Sequence, residues 1–143
     1  MADSIHTLAI PSSTRYLKTV RQFVMLHALA ANFSKETADD FKLCVDEACS
    51  NVIKHAYEGQ PEHEIDIAVI VDANRFTVRI RDRGTPFDRS KYRKPDVVKY
   101  TKERRRGGLG VHIMQQLMDH VEYQTADSVN EIRLTKYRGA APT

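Results

Sequence analysis

The sequence predicts a two-layer α+β sandwich, in which a mostly antiparallel mixed sheet carries about three helices on one face. Three features predict it. A long helical run from Ser34 to Tyr57 carries a continuous apolar stripe, and two alternating runs at 63–71 and 75–82 read as a hairpin. The whole order is strand, two helices, two strands, loop, helix, two strands, and helices grouped beside a largely antiparallel sheet make that architecture.

The first element, Ile5 to Ile10, reads as a short edge strand closed by Pro11, which has no N–H for a ladder. Ser12, Ser13 and Thr14 offer caps for a first helix, whose apolar positions are Leu17, Val20, Val24 and the stretch from Leu26 to Leu29. Ser34 caps the second helix. Its stripe runs through Phe41, Val45, Ala48 and Val52, widened by Cys44, Cys49, Ile53 and Ala56. The turn at Glu58-Gly59-Gln60-Pro61 leads into the hairpin, whose strands are joined by Asp72-Ala73-Asn74.

From Phe87 to Arg106 there is no sustained apolar period. A loop of about 20 residues inside a compact domain is uncommon unless it is functional or disordered, so this stretch reads as a mobile basic lid at about 87–107. Gly107-Gly108-Leu109-Gly110 ends it. A helix from about Val111 to His120 follows, and strands at Val121 to Thr125 and Glu131 to Tyr137 close the chain.

The chain has 143 residues, the size of one domain, with 41% hydrophobic and 29% charged residues, a globular balance that excludes a disordered chain or a coiled coil. No apolar stretch approaches the ~20 residues of a membrane span, and the opening MADSIHTLAIPSS lacks the basic head and apolar run of a secretory signal. A cytoplasmic location is expected. Cys44 and Cys49 match neither a disulfide nor a zinc spacing and read as buried free thiols. The net charge of +3 is uneven: residues 89–106 hold nine basic and two acidic side chains, +7, which leaves −4 for the rest. One basic segment on an acidic domain points to a local anion site more than to nucleic acid.

Three groups of residues offer chemistry. Glu47, Asn51 and His55 recur every four residues and form a polar ridge on helix two, beside the apolar stripe. The spacing alone describes a solvated helix edge at least as well. In the strand ending at Asp82, the residues Phe76, Val78, Ile80 and Asp82 share one face. A carboxylate on a core-facing row is costly unless something donates to it, and Gly84 two residues on lets a flat ligand come close. The competing reading has Asp82 turn to solvent and cap the Arg83-Gly84 turn. Finally, Gly107-Gly108-Leu109-Gly110 stands where a basic loop enters a helix, so backbone N–H groups and the helix dipole suit phosphate, with Arg104, Arg105 and Arg106 adding donors. As a lone glycine cluster it also fits a hinge, and no Walker lysine follows.

Together these motifs resemble the GHKL ATPase superfamily, the HATPase_c or Bergerat fold. Its N-box matches Glu47-Ala-Cys-Ser-Asn51-Val-Ile-Lys54-His55-Ala56-Tyr57, its next box Asp82-Arg-Gly84-Thr-Pro-Phe-Asp88, and its glycine box Gly107-Gly108-Leu109-Gly110. The wording is closest to the anti-sigma-factor serine/threonine kinases, over nearly the whole chain to Arg138. Sensor histidine kinases fit less well, since no dimerisation helix with a phosphoacceptor histidine fits before residue 40.

The resemblance implies ATP and Mg²⁺ as cofactors, with Asn51 holding the metal and Glu47 orienting or deprotonating the attacking serine. It implies that Asp82 accepts from the adenine amino group, that Gly84 leaves room for the ring, and that Gly108, Leu109, Gly110, Arg105 and Arg106 cradle the phosphates, with Lys54 reaching toward one. His55 is structural in this reading. Val129-Asn130 stands where family members often carry Gly-Thr, and Asn130 would take over the hydrogen bonds to adenine or its waters. The implied activity is serine phosphorylation of an anti-anti-sigma (STAS-domain) partner in a bacterial partner-switching system, with a sigma factor and a homodimer as further associations. The alternative is an ATP-binding regulatory module that sequesters a partner without kinase activity. Direct nucleic-acid binding by residues 89–106 is the third reading, disfavoured because only Tyr92 and Tyr100 are aromatic there.

Overall fold

The computed structural model describes residues 3–86 and 107–138, and the side chains of 107–111 are not among those described. Five strands form one antiparallel sheet in the order β1-β2-β3-β5-β4: β1 (Ser4–Pro11), β2 (Glu64–Val71), β3 (Arg75–Asp82), β4 (His120–Ala126) and β5 (Val129–Tyr137). All four pairings are antiparallel, so the parallel component allowed for in a mixed sheet is not found among the described strands. Three helices accompany it: α1 (Leu17–Ala30), α2 (Lys35–Asn51) and α3 (Gly107–Leu117).

β1 is an edge strand as expected, paired with β2 over its whole length from Ser4↔Val71 to Pro11↔Glu64. Ser13 caps a short 3₁₀ turn, Thr14–Tyr16, that leads into α1. Leu17, Val20, Val24 and Ala28 are buried there, whereas Leu26 and Leu29 are 66% and 46% exposed. Only the positions at helical spacing from Val20 reach the core, and the continuous run from Leu26 to Leu29 necessarily points around the cylinder. α1 ends on Asn32 at φ 69°, with Phe33 N–H donating to Ala28 and Asn32 N–H to Leu29, the double closure of a Schellman motif. That turn delivers Phe33 edge-on to Phe41 and Phe76, centroids 6.1 and 5.5 Å away, and so joins the helix layer to β3.

Ser34 Oγ accepts from Thr37 N–H at 3.1 Å and starts α2 as read from the sequence. The helix departs from expectation at its end: the α-helix stops at Asn51, and Val52–Ala56 form a π-turn in which Tyr57 N–H reaches back five residues to Val52. Gly59, at φ 77°, completes the turn beyond it. The core joins Val24, Phe41, Val45 and Cys49 of the helices to Ile65, Ile67, Val69, Phe76, Val78, Ile80 and Leu134 of the sheet. Cys44 and Cys49 are free and buried, and burial pushes both thiols up to about 12.

The last helix begins at Gly107, four residues before the expected start, so the glycine cluster lies inside its first turns, and it ends at Leu117 instead of His120. His120 opens β4. β4 and β5 are joined by Asp127-Ser128 at φ 53° and 64°, the two left-handed positions that a tight hairpin of right-twisted strands requires. On the sheet face away from the helices, Glu131 is clamped by Arg81 at 2.7 Å and Arg133 at 2.8 Å. The expected lid lies outside the described residues except for its last residue, Gly107.

Candidate functional site

The site gathers where the end of β3, the start of β5 and the π-turn after α2 meet. Alternation along β3 puts Asp82 on the helix-facing side after Phe76, Val78 and Ile80, and it is 6% exposed. The competing reading holds in part: Asp82 does cap the Arg83-Gly84 turn, but from a buried position and not from bulk solvent. Gly84 N–H and Asn130 Nδ2 each donate to its Oδ1 at 2.8 Å. Burial raises the carboxyl above its ordinary range, and these two hydrogen bonds oppose that rise without cancelling it. Oδ2 receives no hydrogen bond from the described residues and is not sealed from solvent. Asp82 therefore carries one occupied and one open acceptor.

Gly84 sits against the π-turn. A Cβ there would overlap the carbonyl of Ala56 and come within 2.8 Å of its Cβ, while the next residue, Thr85, donates its N–H to that carbonyl at 2.9 Å. The missing side chain thus serves first to let the loop dock on the helix end. Tyr57, the residue after the π-turn, holds the same loop: its hydroxyl accepts from Arg83 N–H and donates to the carbonyl of Glu64, both at 2.8 Å. An open cleft of about 370 Å³ adjoins this turn, lined by Ala56, Tyr57, His63, Arg83, Gly84 and Thr85 among others.

Asn130 is 1% exposed and directly opposite Asp82 in the ladder. Its Nδ2 donates to Asp82 and, at 2.9 Å, to the carbonyl of Gly84, and its Oδ1 accepts from Thr125 Oγ at 2.9 Å. Both amide protons are used within the protein. The residue expected to hydrogen-bond a nucleotide or its waters thus has its amide protons on Asp82 and Gly84. Thr125 was not singled out from the sequence. The signal was available: once Asp127-Ser128 is recognised as a two-residue turn, 125 falls opposite 130.

Glu47 and Asn51 are half-buried, one turn apart in regular α-helix, and neither side chain has a hydrogen bond or ion pair among the described residues. They are available to a ligand, and a half-buried amide oxygen without an internal partner fits Mg²⁺, which takes one or two protein ligands and fills its shell from phosphates and water. No cluster of three or more His, Cys, Asp or Glu side chains occurs among the described residues. The wider π-turn begins after Asn51, and Lys54 and His55 within it are exposed, so the expected ridge holds only across its first two members. The backbone of Gly108, Leu109 and Gly110 lies in the opening turns of α3, with its N–H groups at a helix start. Arg105 and Arg106 lie outside the described residues.

Residues 10–136 match the histidine kinase-like ATPase domain family. Among curated proteins, the serine-protein kinase RsbW of Listeria monocytogenes is 34% identical over 142 residues, covering 96% of this chain and 88% of the relative. The serine-protein kinase RsbW of Bacillus subtilis is 30% identical over 141 residues, 95% and 86% of the two chains. Among solved structures, a chain of the SiaB-SiaC complex from Pseudomonas aeruginosa superposes with a TM-score of 0.66 at 13% identity, covering 91% of this chain and 88% of that one, a likeness of fold.

Proposed function

From the premise that the chain belongs to the histidine kinase-like ATPase domain family, among the serine-protein kinases related to RsbW, we propose that it is an ATP-dependent serine kinase acting as an anti-sigma factor in a bacterial partner-switching system. Its substrate is a serine on a STAS-domain anti-anti-sigma protein. The observation that carries this reading is the open Oδ2 of Asp82, the accessible oxygen of an otherwise buried residue on the helix-facing side, with no donor of its own among the described residues. An adenine amino group supplies that donor.

With the base on Asp82, the triphosphate runs toward Asn51, Glu47 and the N-terminus of α3. The Asn51 oxygen would hold Mg²⁺, which would supply positive charge against the phosphate oxygens. The N–H groups of Gly108, Leu109 and Gly110, with Arg105 and Arg106 of the 87–107 lid and Lys54 at the rim, cradle those oxygens. The serine oxygen of the partner attacks the γ-phosphorus, the bond to the bridging oxygen breaks, and ADP leaves. Glu47 orients the hydroxyl and accepts its proton; the transition state is loose, so placement outweighs base strength.

Phosphorylated partner no longer frees the sigma factor that the kinase holds. The kinase domain spans residues 1–143, works in the cytoplasm and pairs as a homodimer. The test is incubation with Mg-ATP and candidate STAS-domain proteins, reading phosphoserine by mass spectrometry. Transfer by the wild type and its loss in Glu47→Ala, with ATP binding kept, is expected. A Glu47→Ala protein that regulates its partner as well as the wild type would instead identify a regulatory module without kinase activity.

A further inference from the structure

Three side chains lie in a row across adjacent strands at one end of the sheet: Thr125 on β4 faces Asn130 on β5, which faces Asp82 on β3. Their hydrogen bonds run one way. Asp82 Oδ1 and the Gly84 carbonyl can only accept, so the Asn130 group that meets both must be the amino end, and its carbonyl is left for Thr125, whose hydroxyl must then donate. The amide cannot flip without losing its bonds to Asp82 and Gly84 and setting its oxygen against theirs. It is also shut away from ligand at 1% exposure.

We propose that Asn130 is a positioning and specificity residue: without touching the purine, it pins Asp82 so that Oδ2 alone is presented, and thereby selects a 6-amino over a 6-oxo purine. The inference rests on the reading that Asp82 receives the base. With Oδ1 held by Asn130 and Gly84, the carboxylate cannot rotate to share its oxygens or turn a protonated one toward the ligand. A 6-amino group donates to Oδ2. A 6-oxo group brings lone pairs against a carboxylate oxygen, and nothing in the row can reorient to relieve that. Asn130 also lowers the carboxyl against the rise that burial imposes, which keeps Asp82 in the accepting form.

The test compares ADP with IDP, which differ at position 6, by titration calorimetry between pH 5.5 and 8.5. Asn130→Asp keeps the shape but replaces the donor with a second carboxyl. It should weaken ADP by roughly 10- to 100-fold, the range for a lost hydrogen bond to a charged group, and change IDP no more than about twofold. The loss of ADP binding on acidification should begin at higher pH than in the wild type. Thr125→Val, at an exposed position, removes only the hydroxyl that anchors the amide oxygen and should shift the ADP-to-IDP ratio the same way by about 3- to 10-fold. If Asn130→Asp does not fold, Thr125→Val decides.

Equal losses for ADP and IDP, or an unchanged ratio, would overturn the proposal, because a structural defect alone weakens both. Asp82→Asn separates the two levels. If it loses ADP while the row variants keep the wild-type ratio, only the role of Asn130 falls. If it binds ADP like the wild type, the base is not on Asp82 and both readings fall.

Discussion

Gly84 and Ala56 approach so closely that a methyl group on residue 84 would overlap the Ala56 carbonyl, which at the same time accepts from Thr85 N–H at 2.9 Å. Backbone meets backbone there, so no rotamer change relieves the clash. Gly84→Ala should therefore separate the loop from the π-turn, breaking the Thr85 bond and straining the Arg83 bond to Tyr57. The expected cost is about 2–4 kcal/mol, among the larger single-substitution effects. Urea unfolding checks it, and a cost below about 0.5 kcal/mol, ordinary for a surface site, would contradict the geometry.

Asp82→Asn should do the opposite to stability. Because burial raises the Asp82 carboxyl in the folded protein, the native state holds its proton more tightly than the unfolded chain, and its stability contribution falls as pH rises through the raised value. At neutral pH the charge is a cost. An asparagine oxygen at this position still accepts from Gly84 and Asn130, without that charge. The nucleotide-free variant should melt no lower than the wild type, and up to a few degrees higher, while its affinity for ATP falls by about 100-fold or more, the scale of an amino group left facing a donor. Differential scanning calorimetry and nucleotide titration read the two effects separately.

Much of this arrangement was legible in the sequence because it follows from periodicity. The alternation of β3 put Asp82 on the core side, the cap at Ser34 and the stripe through Phe41 and Val45 placed α2, and the residues on either side of Asp72-Ala73-Asn74 gave the hairpin. What escaped was set by contacts between distant segments. The π-turn after Asn51 is recorded in no local pattern; it exposes His55 and brings the Ala56 carbonyl to Thr85. The early start of α3 was missed because glycines are poor helix formers in isolation. The role of Asn130 needed its partners on β3 and β4, which only the strand order supplies.

On the far face of the sheet, Glu131 gives a pH prediction. Burial alone would raise its carboxyl, but hydrogen bonds from Arg133 and Arg81 outweigh that and hold it below the ordinary glutamate range. The stabilisation is fully present above the unfolded value, near ~4.3, and is lost as pH falls through the lower folded value. Glu131→Gln should cost roughly 1 kcal/mol at pH 7, because both arginines are partly solvated. That deficit should shrink on acidification below about pH 4, where the wild type loses the same contribution. Urea midpoints across pH 3 to 7 check the convergence, and parallel curves for the two proteins would contradict it.

Asn51 and Glu47 lie one turn apart in the same helix, equally half-buried and equally without internal partners among the described residues, yet the mechanism we propose gives them different work. An amide holding Mg²⁺ contributes to the bound state, so Asn51→Ala should weaken Mg-ATP by about 10- to 100-fold, the usual range for disturbing a metal shell. Adenosine, which carries no phosphates, should bind that variant as it binds the wild type. A carboxylate that meets the serine only as the proton leaves contributes to the transition state, so Glu47→Gln should bind Mg-ATP within about twofold of the wild type and lower the transfer rate by about 10²- to 10⁴-fold. Titrations with ATP and adenosine, with and without Mg²⁺, and single-turnover transfer to the partner read these outcomes. If Asn51→Ala weakens adenosine as much as Mg-ATP, the residue shapes the base pocket instead of the metal. If Glu47→Gln loses nucleotide affinity and rate in equal measure, its carboxylate acts on ground-state binding and the proton goes elsewhere.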